Sequence, residues 1–151
     1  TYVGAPLHYY GNEAGMFGAD DPSNRKPMLW KDLEPYEKKE ENFVLEDQLA
    51  FFKKAGALRS QYAALRGGSF ETLLTDDAAD VWAFRRADDK DQLIVVLNAS
   101  NKEAKIAIPL PEGAAQQWKK VFGGEGTLPA AGGKLEVTVP AIGGVVLHAP
   151  K

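Results

Sequence analysis

The chain contains no cysteine. That absence removes disulfide staples and thiolate chemistry, and it leaves the compartment open. Histidine is almost as scarce. His8 and His148 are the only two in 151 residues, too few and too separated for a histidine-built metal site. No apolar run approaches the roughly 18 residues that a membrane span needs. Nor does a basic stretch followed by an apolar one mark a signal peptide within these residues. Positive charge is not in excess either: 18 Lys and Arg against 21 Asp and Glu give a net charge of −3 and a pI near 5.4, the wrong balance for a nucleic-acid binder. No nucleic acid, membrane, metal or cofactor is therefore expected as a partner.

What is present supports a folded chain. An apolar content of 44% suffices for a core and argues against global disorder. The opening residues are unusual, because Tyr2, Val3, Leu7, Tyr9 and Tyr10 all precede the first charged side chain, Glu13. Amino termini are ordinarily polar and frayed, so this start reads as an element from the middle of something larger. APLHYY at 5–10 predicts a short buried strand ended by Gly11, with His8 a satisfied core imidazole. Residues 11–44 have no sustained periodicity, and a loop that long signals function or disorder. The run EKKEE at 37–41 reads as a solvated face.

A helix follows over 45–66. Leu45, Leu49, Phe52, Gly56, Leu58, Tyr62 and Leu65 recur at helical steps, Glu46 and Asp47 lie in the first turn and Arg66 in the last. Gly67-Gly68 predicts a left-handed stop, and Gly56 a close approach to a neighbour. From 70 onward the pattern turns to short strands at 70–74, 81–86, 92–99, 104–110, 117–122, 134–140 and 144–149, with turns at 88–91, 100–103 and 130–134. Ile106, Ile108 and Leu110 alternate inward, as do Leu135, Val137 and Val139, while LIVVL at 93–97 is apolar on both faces and predicts a central strand. The fold class expected is mainly β with one long helix, the all-β part an antiparallel Greek-key β-sandwich over 69–151.

The combination of YYG-x-E-x-G (9–15), D-P-x-x-R (21–25) and PMLW (27–30) resembles the last barrel strand and its loop in glycoside hydrolase family 13, the α-amylase family. The neopullulanase and cyclomaltodextrinase type is the nearest look-alike. FFKKAGALRSQYAALRGGSF resembles that family's last barrel helix and exit, and VWAFRR, LIVVLNAS and VTVPAIGGVVL its C-terminal β-sandwich. The resemblance implies that residues 1–67 are the end of a (β/α)8 barrel: strand 5–10, substrate loop 11–44 and helix 45–66. Loops after barrel strands build the active site, which would place 11–44 on the substrate side.

Retaining glycosidases work with two carboxyl groups about 5 Å apart. In the family, the nucleophile, the acid/base and a third stabilising carboxylate come from the fourth, fifth and seventh strands, all ahead of Thr1. The resemblance therefore implies no catalytic residue in this chain and no hydrolysis by it alone. Glu13 matches a structural carboxylate. Asp21 and Arg25 match a pair that contacts sugar on the non-reducing side of the scissile bond. The bland alternative is a local Asp21–Arg25 ion pair that shapes the loop. An α-glucan oligosaccharide and the remainder of the barrel are the partners implied. A stand-alone binding module, or an α-glucosidase or transglycosylating relative, are the alternative readings.

The three Trp divide on pattern. Trp30 reads as pinning the loop, and Trp82 beside Phe84 as core. Trp118, after two Gln at a strand start, reads as half exposed, with a surface glucan platform one reading open to it. The Asp pairs at 20–21, 76–77 and 88–89 suggest turns and lack calcium-loop spacing.

Overall fold

In the computed structural model the chain is described over residues 1–38 and 42–151, so part of the charge run at 37–41 lies outside the described residues. Two compact units emerge, Thr1–Gly4 with Leu58–Lys151, and Ala5–Ala57.

The first unit is built on eight strands: β1 Ser69–Asp76, β2 Val81–Ala87, β3 Asp91–Asn98, β4 Ala104–Pro109, β5 Gln117–Phe122, β6 Thr127–Ala131, β7 Lys134–Val139 and β8 Gly143–Pro150. All pairings are antiparallel, in the order β1-β2-β3-β8-β5-β6-β7-β4. The outer strands β1 and β4 approach each other, which leaves a nearly closed, barrel-like sandwich. Inside it Val81, Ala83, Ile94, Val96, Ile108, Trp118, Leu135, Val137, Val145 and Leu147 form the core, so the alternations read for β4 and β7 point as expected. β3 is indeed central, paired with β2 on one side and β8 on the other.

One strand went unread. β6 falls across the segment expected as the turn 130–134, and the actual turn is Gly132-Gly133, with φ of 57° and 72°. Those values are those of a two-residue hairpin between Ala131 and Lys134. Pro129 hid the strand, since a proline gives no N–H to a ladder. Its neighbour Ala130 instead donates to Gln116 O at 2.9 Å.

The helix is α1, Glu46–Gln61, followed after a break by α2, Ala64–Gly67. The single helix expected over 45–66 is thus interrupted at Tyr62-Ala63. The break lets Leu58, Tyr62, Ala64 and Leu65 all pack on Phe84, Leu93, Val95 and Val146, the outer face of the sheet. This second core explains why LIVVL is apolar on both sides. The sandwich unit takes in Leu58 onward.

Three arginines occupy carbonyls around the break. Arg66 donates to Arg59 O and Ser60 O at 2.7 and 2.6 Å. Arg59 donates to Leu65 O at 2.6 Å. Arg86, 1% exposed, donates to Ser69 O, Leu65 O and Gly68 O at 3.0, 3.2 and 3.2 Å. A buried cation needs such partners. Burial first, and then the charge of Arg59, pull the Arg86 guanidinium below its ordinary value. Gly68 ends α2 in an extended conformation, φ −71° and ψ 170°, and not in the left-handed form expected. It is glycine for space: a Cβ there would lie 2.5 Å from both Ala64 O and Ala87 O. Gly56, by contrast, faces open space, and the close approach expected there is absent among the described residues.

Buried polar groups close the ends of β3. Asn98, 3% exposed, donates through Nδ2 to Lys102 O and Pro140 O at 2.8 and 3.0 Å, with Val139 O at 3.3 Å. Ser100 N returns a bond to Asn98 Oδ1 at 2.9 Å. At the other end Gln92 accepts from Arg85 at 3.1 Å.

The unit Ala5–Ala57 holds the start of α1 and three short 3-10 turns, Asn12–Ala14, Ser23–Arg25 and Lys31–Leu33. Residues 5–10 enter no sheet among the described residues. His8, expected as a core imidazole, is exposed within this chain, its ring edge-on to Phe52 at 5.1 Å.

Candidate substrate-contact loop

The loop 18–30 is folded by its own polar side chains. Asp20 organises it: Asp21 N donates to Asp20 Oδ1 at 2.7 Å, Ser23 Oγ to Asp20 O at 2.6 Å, and Asn24 N to Asp20 O at 3.1 Å. Short side chains that bond nearby backbone favour such turns. The 3-10 turn Ser23–Arg25 that results carries Arg25 back over Asp21.

The two residues singled out in the sequence are brought together. Arg25 Nε lies 2.8 Å from Asp21 Oδ1, and Nη2 donates to Oδ2 at 3.0 Å, a fork-to-fork pair. Their side chains are 69% and 54% exposed. An ion pair so wetted adds little stability. What the pairing does is hold a planar donor array and a carboxylate in one orientation at the surface, with lone pairs and N–H groups left over for hydroxyls.

Aromatic and apolar residues line the neighbouring surface. The Tyr9 and Tyr10 rings meet at a tilt, 4.8 Å between centroids, Tyr10 Oη donates to Lys26 O at 2.9 Å, and the Lys26 ammonium lies 5.9 Å from the Phe17 ring centroid. Partial burial, then Tyr9, push the Tyr10 phenol up. A cleft of about 110 Å³ opens between Tyr9, Tyr10, Phe17, Ser23 and Asn24, and a larger one of about 360 Å³ between Met16, Phe17, Leu29, Phe43 and Leu45.

The rest of the loop is tied down by one cation. Lys31 bridges Glu34, at 2.8 Å, and Glu46, while Glu34 Oε1 accepts from Val44 N at 2.9 Å. The Lys31 bond, then the Val44 N–H, hold Glu34 below its ordinary value, and the two carboxylates push Lys31 up. Trp30 is pinned through its backbone, whose N–H and C=O both bond Tyr36 Oη, at 2.7 and 3.0 Å. Its indole stays 55% exposed. Glu13 is half-buried.

Elsewhere the expectations divide. Trp82 packs on Phe84 at 4.7 Å, as read. Trp118 is a correction: it is fully buried, its Nε1–H donated to Ala115 O at 2.9 Å, so it offers no surface platform. The alternation of QWKKVF turned it inward. His148 was passed over, yet it pairs with Asp91. Arg86 was missed as well, although its position two beyond Phe84 and four beyond Trp82 placed a cation on an apolar face. Among the described residues no three His, Asp or Glu gather as a metal site, and no helix is long and apolar enough to cross a membrane.

Residues 70–146 match the family described as Maltogenic Amylase, C-terminal domain, and the chain belongs to it, within glycoside hydrolase family 13. Neopullulanase 2 of Thermoactinomyces vulgaris is 34% identical over 147 residues, 97% of this chain and 23% of that protein. A cyclomaltodextrinase of Geobacillus thermopakistaniensis (strain MAS1) is 36% identical over 118 residues, 78% of this chain and 18% of the relative. The crystal structure of an Anoxybacillus alpha-amylase superposes with a TM-score of 0.74 over 95% of this chain and 28% of that one, at 23% identity, which speaks for the fold alone. The chain thus spans less than a quarter of the length of the two relatives matched by sequence.

Proposed function

We propose that the chain serves as the C-terminal segment of a retaining α-glucan hydrolase that cleaves α-1,4-glucosidic bonds in maltodextrin, cyclodextrin or pullulan. The observation that carries this reading is the extent of the likeness to Neopullulanase 2, which takes in 97% of the chain, so the loop is included as well as the sandwich. In this reading Asp21 and Arg25 contact sugar hydroxyls, each orienting the other, and the sandwich stabilises the catalytic domain without joining the chemistry. Residues 1–67 then supply the last strand, substrate loop and last helix of a (β/α)8 barrel, and the carboxylates that break the bond belong to the rest of that barrel.

Exposure supports such a partner. Leu7, Phe17, Leu33, Tyr9, Phe51 and Phe43 are between 47% and 94% exposed, all within Ala5–Ala57. Large apolar side chains gathered this way mark a surface that other protein covers. Incubated alone with maltodextrin, the chain is expected to release no reducing sugar; robust turnover would overturn the placement of the catalytic carboxylates. The contact role is tested separately in a longer enzyme carrying this segment. There Arg25→Ala is expected to raise KM about tenfold, worth about 1.4 kcal/mol, at unchanged Tm, and an unchanged KM removes the role.

A further inference from the structure

Thr1–Gly4 belong to the sandwich unit, although all of Ala5–Ala57 separates them from it in sequence. Two kinds of contact hold them. The Tyr2 ring meets Phe70 and Phe84 edge-on, at 5.3 and 6.3 Å between centroids, and Trp82 at a tilt, at 5.7 Å. Those three rings already pack on one another, Phe70 on Phe84 at 5.2 Å and Trp82 on Phe84 at 4.7 Å, so the floor exists without its occupant.

The second contact is guanidinium to carbonyl. Arg86 Nη1 donates to Thr1 O at 2.9 Å, and Arg59 Nη2 to Gly4 O at 2.7 Å, with Tyr2 O 3.5 Å from Arg59 Nη1. Both guanidinium groups are oriented beforehand by carbonyls of the sandwich unit: Leu65 for Arg59, and Ser69, Leu65 and Gly68 for Arg86. Gly4 has φ +89°, and a Cβ there would meet nothing within 4 Å, so glycine is required by backbone conformation and not by space.

We propose that this constellation is a segment-binding latch: a site on the sandwich that recognises a Tyr-x-Gly stretch by one ring and its backbone carbonyls, and releases Thr1–Gly4 without unfolding the sheet. Carbonyl recognition is indifferent to side chains, so positions 2 and 4 carry the specificity, and Val3 is 43% exposed. A forked guanidinium spans two carbonyls, whereas lysine offers one point of charge. Release is local because a half-exposed ring and bonds to a few carbonyls make a low-stability unit, and Arg86 keeps its bonds to Ser69, Leu65 and Gly68 when Thr1 leaves.

Backbone relaxation of the full chain tests it. Val3 and Gly4 are expected to be rigid, with order parameters near about 0.85, and to fall below about 0.6 in both Tyr2→Ala and Arg59→Lys. Tyr2→Phe should stay rigid, since the contacts are between rings. Amide protection of Ile94 and Val96 should hold in every variant. Flexible Val3 and Gly4 in the parent, or rigid ones in Tyr2→Ala or Arg59→Lys, would overturn the latch. So would loss of Ile94 and Val96 protection along with the segment, which would make Thr1–Gly4 part of the cooperative core.

Discussion

His148 Nε2 lies 2.7 Å from Asp91 Oδ1, and the ring of Tyr62 lies over the same imidazole, 4.7 Å between centroids and tilted by 34°. The last strand is thereby joined to the hairpin strand β3 on one side and to the break between α1 and α2 on the other. Burial, then the charge of Asp91, push the Tyr62 phenol up.

The Tyr62–His148 contact is expected to show as a coupling energy. A double-mutant cycle with Tyr62→Ala and His148→Ala in urea denaturation should give about 0.5–1.5 kcal/mol, the range for stacked aromatic pairs. Additive single effects would show that the stack contributes nothing beyond area.

Trp118 is a stability residue. Removing a fully buried indole costs about 3–5 kcal/mol, so Trp118→Ala should lower the urea midpoint of the sandwich sharply. A variant with an undiminished midpoint but weaker glucan retention would restore the surface-platform reading.

Adjacent glycines should respond with opposite sign. Gly68→Ala forces a Cβ to 2.5 Å from two carbonyl oxygens and should destabilise by about 1–3 kcal/mol. Gly67→Ala meets nothing within 4 Å and should stabilise by up to about 1 kcal/mol through helix propensity. Thermal unfolding of both variants checks the pair, and equal shifts would remove the steric account.

The loop clamp at Lys31 should depend on pH. Glu34 is held below its ordinary value of 4.5, so its contribution is fully present above that pH and is lost as pH falls through the depressed value. The Val44 amide shift, followed by NMR, should titrate with Glu34 below 4.5. Lys31→Met should move that titration upward, and a midpoint unmoved by the substitution would detach Lys31 from the clamp.

Much of the sandwich was legible in its alternation, because Ile106, Ile108, Leu135 and Val137 each show one face to the core and one neighbour to water. β6 was not, since Pro129 and its flanking glycines carry turn chemistry while the strand exists through its partners. Asp21 and Arg25 stood out only through the family resemblance, while the turn that brings them together follows from Asp20 and Ser23. Arg59 and Arg86 were not, because what they bind is backbone, and carbonyls leave no mark on a sequence. Trp118 was misjudged because the two glutamines before it suggested a wet strand start, whereas the alternation of QWKKVF carries its indole into the core.

β3 faces two interiors, with Ile94 and Val96 in the sandwich and Leu93 and Val95 beneath the helix break. A strand with one wet face is locked in register because a slip of one residue would turn its apolar set toward water. β3 has no such lock: after a slip, aliphatic side chains would still point both ways. Its alignment rests on its ends, where Asn98 would forfeit its carbonyl partners and Gln92 its guanidinium. Two amide side chains thus act as the alignment pins of a strand whose hydrophobic middle is nearly symmetric.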